Sequence, residues 1–199
     1  MTIARLLIVG PQGSGKGTQG IRIADAYGIP AISTGDMFRA AVASGSDLGN
    51  QVTEIMQSGN LVPDELTSAV VRDRLTQADA AQGFLLDGYP RNVGQVADLD
   101  AFLAGRGEQL DAVIELVVPR EESIERLTLR AAEQGRADDT EEAIANRLAI
   151  YERETAPILD VYRERGIAVE IDGVGTLDEI TDRLIAALEG RGLSRSTAA

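Results

Sequence analysis

The sequence predicts an α/β fold built on a doubly wound, parallel sheet of five strands. Five short apolar runs lack the polar alternation of a half-exposed strand, which is typical of strands buried between two layers of helices. Helix-compatible stretches separate these runs, as the crossovers of a parallel sheet require. The five runs are residues 4–9, 29–32, 84–86, 112–118 and 167–171.

The helices are indicated by the residues at their ends. The first strand leads through a Gly-rich segment into a predicted helix over 19–27. Pro119, followed by two glutamates, suits a first helical turn. Asp139 with Glu142 three residues later predicts a capping box, and Pro157 should kink or divide the helical stretch that follows. We expect the small, polar residues 191–199 to form a disordered tail.

Length and composition limit the architecture. With 199 residues and 44% apolar side chains, the chain can bury one sizeable core, which predicts a single domain over 1–199. No run approaches the roughly 18 apolar residues of a membrane span. The N-terminus lacks a signal-peptide pattern. We therefore expect a cytoplasmic protein with no membrane partner. We also expect a monomer, although composition and length carry no signal for it.

The absence of two residue types excludes several chemistries. The chain contains no Cys and no His, which excludes disulfides, cysteine nucleophiles, Ser-His-Asp triads and Cys- or His-bound metals. A formal charge of −13 predicts that nucleic acid is repelled and that any bound polyanion meets a local basic pocket. Chemistry must then depend on carboxylates, hydroxyls, backbone amides, Arg and Lys, as phosphoryl transfer can.

A single lysine, Lys16, stands among 19 basic residues. A general drift from Lys to Arg explains the bias, yet position 16 keeps a compact ammonium group. Lys16 ends a GxxxxGK pattern between the first strand and the first helix, where glycines let backbone N–H groups and the helix N-terminus meet phosphate oxygens. ATP or GTP binding is therefore predicted. The binding residues would be Gly13, Ser14, Gly15, Lys16, Gly17 and Thr18.

The loop departs from the general motif directly after the lysine. Gly17 stands where a Ser or Thr would ligate Mg²⁺, and Thr18 follows one place later. This GKGT resembles the nucleoside monophosphate kinases of the adenylate kinase family, which have a P-loop NTPase-type fold and hold the metal largely through waters and nucleotide oxygens. The family commonly has Pro where this chain has Gln12. We expect altered loop stiffness there, without loss of function.

Three further segments resemble motifs of the same family. They begin at Ser33 (STGDMFR), Asn60 (NLVPD) and Gly83 (GFLLDGYPR). The resemblance implies a mobile AMP-binding insertion over 33–62, and it implies that Asp87 orients water around Mg²⁺ beside the phosphate loop. The implied AMP-binding residues are Thr34, Arg39, Asn60, Leu61, Val62, Gly88, Tyr89, Pro90, Arg91, Gln95, Arg136 and Arg147.

Arginines in the segment RLTLRAAEQGRADD resemble the short lid of adenylate kinases, expected over 129–139. The core would then comprise 1–32, 63–128 and 140–190. Because this lid offers neither Cys nor His, no structural zinc is expected. The resemblance implies that Arg126, Arg130 and Gly175 join the loop in binding ATP, and that Lys16, Arg91, Arg136 and Arg147 are catalytic.

The resemblance implies reversible, Mg²⁺-dependent transfer of a phosphoryl group, ATP + AMP = 2 ADP. The accepting phosphate oxygen of AMP is already anionic near neutral pH, so the reaction needs no protein base. Two alternatives remain open. A UMP/CMP kinase would share nearly all these motifs, although Thr34 and Gln95 favour AMP. A P-loop nucleotide switch would share only the first loop.

Overall fold

A computed structural model describes residues 4–134 and 140–196 of the chain. Its centre is a sheet of five parallel strands in the order β2-β3-β1-β4-β5, which confirms the predicted doubly wound sheet. β1 is flanked by β3 and β4, so the chain changes direction across the sheet at β1. The strands are β1 (Ala4–Val9), β2 (Ala31–Ser33), β3 (Gly83–Asp87), β4 (Ala112–Val117) and β5 (Ala168–Asp172).

Helices cover both faces of this sheet. Alternate residues of β1 point to opposite faces: Leu6 belongs to a core shared with α1 and α9, and Leu7 to a core shared with α4, α5 and α8. The helices are α1 (Lys16–Tyr27), α2 (Thr34–Ser44), α3 (Asp47–Gln57), α4 (Asp64–Leu75), α5 (Val93–Ala104), α6 (Arg120–Gln134), α7 (Glu141–Ile150), α8 (Ala156–Glu164) and α9 (Leu177–Glu189). A short 3₁₀ helix, Ala78–Gln82, precedes β3.

The segment between β2 and α4 forms a small helical pair with its own core. The side chain of Ser33 accepts a hydrogen bond from the backbone N–H of Asp36 and so caps α2, and Ser46 caps α3 in the same way. Phe38, Val52 and Val62 form a buried cluster separate from the two main cores. These helices fall in the segment predicted as an insertion, and they stand at one end of the sheet.

The helical stretch from 141 to 164 is divided, in line with the prediction from Pro157. A turn of π-helix, Tyr151–Thr155, separates α7 from α8, and the proline lies in the first turn of α8. This is a position where its missing N–H leaves no helical bond unmade. None of the described helices combines the length and the apolar character needed to cross a membrane.

Two local expectations differ from the structure. The N-cap of α7 is Thr140, whose side chain accepts a hydrogen bond from the backbone N–H of Ala143; the residue proposed for this cap, Asp139, lies outside the described residues. Residues 191–196, expected to be disordered, pack on the fold. Leu193 is buried and its carbonyl accepts a bond from the Tyr27 hydroxyl. Burial of this apolar side chain offsets the entropy of ordering the segment.

Candidate functional site

A cavity of about 1000 Å³ lies between the carboxyl ends of the strands, the phosphate loop and the small helical pair. A crevice at this edge, beside the strand where the chain changes direction, is the usual ligand site of open α/β sheets. Most of the predicted site residues line it. They are Gly13, Ser14, Gly15, Lys16, Gly17, Thr18, Thr34, Arg39, Asn60, Leu61, Val62, Asp87, Gly88, Pro90, Arg91, Gln95, Arg126, Arg130, Arg147 and Gly175.

One predicted residue in the described part of the chain, Tyr89, does not line the cavity. Tyr89 is buried in the core beside α4, where its hydroxyl lies 2.9 Å from the Ser68 Oγ atom. Its aromatic side chain therefore packs in the core next to the residues that line the cavity, and it does not contact the cavity itself. Arg136 lies outside the described residues. The lid expected over 129–139 is described only at its start, where Arg130 faces the cavity from the last turns of α6.

The phosphate loop has its shape because glycine occupies two positions that other residues adopt at a cost. Gly13 has φ 83° and Gly15 has φ 90°, both in the left-handed region. A β-carbon on Gly13 would lie 2.3 Å from the carbonyl oxygen of Ser123. The loop thus rests directly on the first turns of α6, a tertiary contact that the loop motif does not reveal.

Lys16 starts α1 and extends back along the loop. Its Nζ atom donates a hydrogen bond of 2.8 Å to the carbonyl oxygen of Pro11. Burial among protein atoms lowers the pKa of Lys16 to about 8; the Asp87 carboxylate opposes this shift, and the charges of Arg91 and Arg130 add to it. For this ammonium group, the effect of burial therefore outweighs that of the Asp87 carboxylate, and a phosphate would supply further negative charge.

Arg91 is the centre of a second cationic group. Its Nε atom donates to the carbonyl oxygen of Gly88 at 2.7 Å, and its own carbonyl oxygen accepts from the Thr155 hydroxyl at 2.9 Å. Burial lowers the pKa of Arg91, Asp87 opposes that shift, and the charges of Arg147 and Arg39 add to it. Like charges gathered at one wall of a cavity repel one another, so an anionic ligand between them would relieve the repulsion.

Arg126 links the phosphate loop to the loop after β5. Its guanidinium donates to the carbonyl oxygens of Ser14 (3.4 Å) and Gly173 (3.1 Å), and it forms a hydrogen bond of 2.9 Å with Glu122. This planar group therefore covers the far side of the loop. The exposed Gly175, with φ 136°, follows in the same loop as Gly173 and also lines the cavity.

Thr34 and Gly88 join the small helical pair to the end of β3. The buried Thr34 hydroxyl donates to the Gly88 carbonyl oxygen at 3.0 Å. Gly88 has φ 83°, and a β-carbon there would lie 2.6 Å from the Thr34 Oγ1 atom and 3.0 Å from a nitrogen of Arg91. Glycine is thus required for the approach of these two side chains.

Gln95 presents an ordered amide to the cavity from the first turn of α5. The residue is 2% exposed. Its Oε1 atom accepts the backbone N–H of Arg91 at 2.8 Å, and its Nε2 atom donates to Asp64 Oδ1 at 2.7 Å. One lone pair and one N–H of the amide remain for a ligand. The other lone pair and the other N–H are already bonded to Arg91 and Asp64.

Asp87 fits the expected place of Mg²⁺ beside the phosphate loop. It ends β3 at the cavity edge, and a β-carbon on Gly17 would lie 3.9 Å from its Oδ2 atom. Carboxylate oxygen is a ligand type that Mg²⁺ accepts directly or through water. In the described parts of the chain, no group of three or more carboxylates gathers as an all-protein metal cage, so the donor set suits a metal bound chiefly by water and nucleotide.

Two residues with structural roles at the site were not expected from the sequence. Asp64 was noted only as the last residue of the NLVPD segment and was given no role, but its carboxylate contacts the Gln95 amide. Asn146 on α7 donates to the Ser58 carbonyl oxygen and to Asn60 Oδ1, each at 2.9 Å, which ties α7 to the small helical pair. Neither contact has a local sequence signal, because the partners lie 31 and 86 or more positions apart.

Comparison with known proteins decides between the alternatives that the motifs left open. The profile of the family described as adenylate kinase matches residues 8–167. The chain belongs to the adenylate kinase family. It is 56% identical over 195 residues to the adenylate kinase of Clavibacter michiganensis subsp. michiganensis, with 98% of each chain covered. It is 57% identical to that of Leifsonia xyli subsp. xyli over 94% of each chain.

A third relative is also similar over nearly the whole chain. The adenylate kinase of Bifidobacterium longum is 52% identical over 185 residues, which are 93% of this chain and all of the relative. The similarity spans the phosphate loop, the small helical pair and the arginine-bearing helices together. Family membership confirms the resemblance read from the sequence and makes the chain an enzyme of the nucleoside monophosphate kinase class.

Proposed function

We propose that this enzyme catalyses the family reaction, ATP + AMP = 2 ADP, in the single cavity described above, with ATP on the phosphate loop and AMP against the small helical pair. The observation that carries this proposal is the convergence of Lys16, Arg91 and Arg147 on one cavity. The triphosphate of ATP and the single phosphate of AMP repel each other, and these cations can offset that repulsion while the two groups are aligned in line.

Each side chain has a distinct task in this proposal. The loop N–H groups and Lys16 hold the β- and γ-phosphates of ATP, and Arg126 and Arg130 lie where the rest of ATP would pass. Arg91 and Arg147, with Arg136 from the lid, hold the transferring group by paired N–H donors, which suit phosphate geometry. The AMP phosphate meets Arg39. A phosphate oxygen of AMP is the nucleophile, so no side chain needs to remove a proton.

Asp87 would hold Mg²⁺ through bound water, and the metal, when bound, would neutralise part of the charge on the ATP phosphates. The lid over 129–139 would close over ATP and exclude water, which would otherwise accept the phosphoryl group. We propose that it does so without zinc. We also propose that the enzyme acts as a cytoplasmic monomer with no nucleic-acid or membrane partner; the charge of −13 supports the absence of nucleic acid.

Acceptor choice tests the proposed function. With ATP as donor, we expect kcat/KM for AMP to exceed the values for CMP and UMP at least about tenfold, because a pyrimidine leaves a buried hydrogen-bonding group of Gln95 or Thr34 unpaired. Gln95→Asn, with a shorter side chain, should narrow this ratio. Steady-state rates with AMP, CMP, UMP and GMP as acceptors give the kcat/KM values for this comparison. Equal or better use of CMP by the unmodified enzyme would exclude AMP as the preferred acceptor.

Proton uptake on ATP binding tests the role of Lys16 without catalysis. Because the pKa of Lys16 is about 8, most copies of this side chain are neutral at pH 8.5. Phosphate oxygens favour the charged form and raise the pKa, so binding should take up about half a proton or more at that pH. Calorimetry in two buffers of different ionisation enthalpy gives the number. Uptake that persists unchanged in Lys16→Met would contradict this assignment.

A further inference from the structure

Asp64 is an exposed residue outside the cavity lining, and its carboxylate accepts hydrogen bonds from two amide side chains. It starts α4, and its carboxylate accepts Gln95 Nε2 at 2.7 Å and Asn92 Nδ2 at 3.0 and 3.1 Å. Asn92 in turn caps α5, since its Oδ1 atom accepts the backbone N–H of Gln95 at 2.9 Å. Asp64 itself does not line the cavity. Any effect it has on a ligand must therefore act through Gln95.

These contacts fix which end of the Gln95 amide faces which way. An ionised carboxylate only accepts hydrogen bonds, and a backbone N–H only donates. In the observed orientation Nε2 faces the Asp64 carboxylate and Oε1 faces the Arg91 N–H. Rotating the amide by 180° would oppose oxygen to oxygen at one end and N–H to N–H at the other. Gln95 is also almost completely buried, so its own amide cannot replace the lost bonds with bonds to water, although the exposed Asp64 carboxylate can be hydrated.

The orientation of this amide matters because the two purines present opposite patterns. Adenine carries an amino donor at C6 beside an acceptor at N1, and guanine carries a carbonyl acceptor at C6 beside a donor at N1. A glutamine amide that is free to rotate can pair with either edge. A glutamine amide whose ends are fixed can pair with only one.

We infer that Asp64 is a positioning residue that fixes the Gln95 amide and thereby makes the acceptor site select adenine over guanine. The inference rests on the proposed function, in which Gln95 meets the base of AMP. It assigns the rejection of GMP to a carboxylate that does not touch the nucleotide. The two contacts of Asp64 with Asn92 hold this carboxylate in place and keep its acceptor atoms directed at the amides.

Replacement of Asp64 by asparagine tests the inference. The new side chain has the same shape, but its carboxamide can either donate or accept, so it permits both orientations of Gln95. The N–H of Arg91 still favours the original orientation. We therefore expect a partial effect: the ratio of kcat/KM for AMP to that for GMP should fall at least about tenfold. The change should appear mainly in KM, with kcat at saturating AMP altered by less than about threefold.

Glu65→Gln is the matched control, because Glu65 lies in the same first turn of α4 and its replacement removes the same charge from the helix N-terminus. It should leave the AMP to GMP ratio unchanged. Asp64→Ser, whose hydroxyl suits a helix start, provides a second variant should the asparagine variant not fold. Thermal unfolding of each variant shows whether it is folded at the assay temperature.

The outcomes separate the inference from the function on which it rests. A lower AMP to GMP ratio in a folded Asp64 variant, with the control unchanged, supports the inference. An unchanged ratio overturns it, as does an equal loss of kcat/KM for both acceptors, which is what a purely structural role would produce. Failure of the unmodified enzyme to use AMP would instead overturn the proposed function.

Discussion

Lys16→Ala is expected to lower kcat by at least about two to three orders of magnitude, the loss typical of removing one preorganised charge from a reacting centre. Lys16 is the loop's cation, and its Nζ atom donates a hydrogen bond to the Pro11 carbonyl oxygen. Lys16→Arg should also be poor, because a planar guanidinium does not fit the space of a compact ammonium in this glycine loop. Single-turnover formation of ADP measures both.

Lys16→Met provides the control for folding, and the sign of its effect on stability follows from the lowered pKa. The folded protein disfavours the charged lysine relative to the unfolded chain. This cost is fully present below the folded pKa of about 8 and is relieved as the pH rises from there towards the unfolded value. The variant should therefore be at least as stable as the unmodified enzyme at pH 7. Near-normal turnover, or an unfolded Lys16→Met, would refute this account of the loop.

Gly13→Ala is expected to be the most damaging small substitution in the loop. The left-handed φ of 83° costs an alanine roughly 1–2 kcal/mol. Its β-carbon would also meet the Ser123 carbonyl oxygen at 2.3 Å, and relieving such crowding adds about 1–3 kcal/mol. The free energy of unfolding in urea should fall by about 2–5 kcal/mol in total. The displaced loop should lower kcat/KM for ATP at least about tenfold.

Gly45→Ala separates the two causes of the destabilisation expected in Gly13→Ala, which are the left-handed backbone and the crowding against Ser123. Gly45 ends α2 with φ 65°, and a β-carbon there would meet nothing within 4 Å. This variant should lose only the conformational part, roughly 1–2 kcal/mol, and keep its affinity for ATP. If the two variants were equally destabilised, the contact between the loop and α6 would have no energetic weight.

The sheet and the cavity wall could be predicted because their signals are local. Buried parallel strands read as short apolar runs, and the loop between β1 and α1 carries glycines and a lysine at fixed spacing. Thr34, Asp87 and Gln95 were found through resemblance to a family. The burial and the hydrogen-bond partners of these residues were not predicted, because both depend on which strand ends become neighbours in the fold.

What the sequence did not reveal is mostly long-range contact. Gly13 packs against Ser123, which is 110 positions away in the sequence, and the hydrogen bond from Gln95 to Asp64 joins residues 31 positions apart. Neither contact produces a periodic or compositional pattern in the sequence. One local feature was also predicted wrongly, because two neighbouring residues could each serve as the N-cap of the same helix. Thr140 caps α7, although its neighbour Asp139 is an equally good capping type. Leu193, an apolar residue in a polar segment, is buried, and Arg191 also bonds to the carbonyl oxygens of Gly166 and Ala168.

The position of the cations inside an acidic molecule has a kinetic consequence. Beyond the Debye length, about 8 Å in physiological salt, the charges of the protein are largely screened, and the formal charge of −13 gives no long-range attraction for an anionic nucleotide. The attraction of Lys16, Arg91 and Arg147 is confined to the mouth and interior of the cavity. Nucleotides are therefore not drawn in from a distance, as they are by basic proteins. Arrival is governed by ordinary diffusion, and the enzyme acts on its substrates only once they have entered.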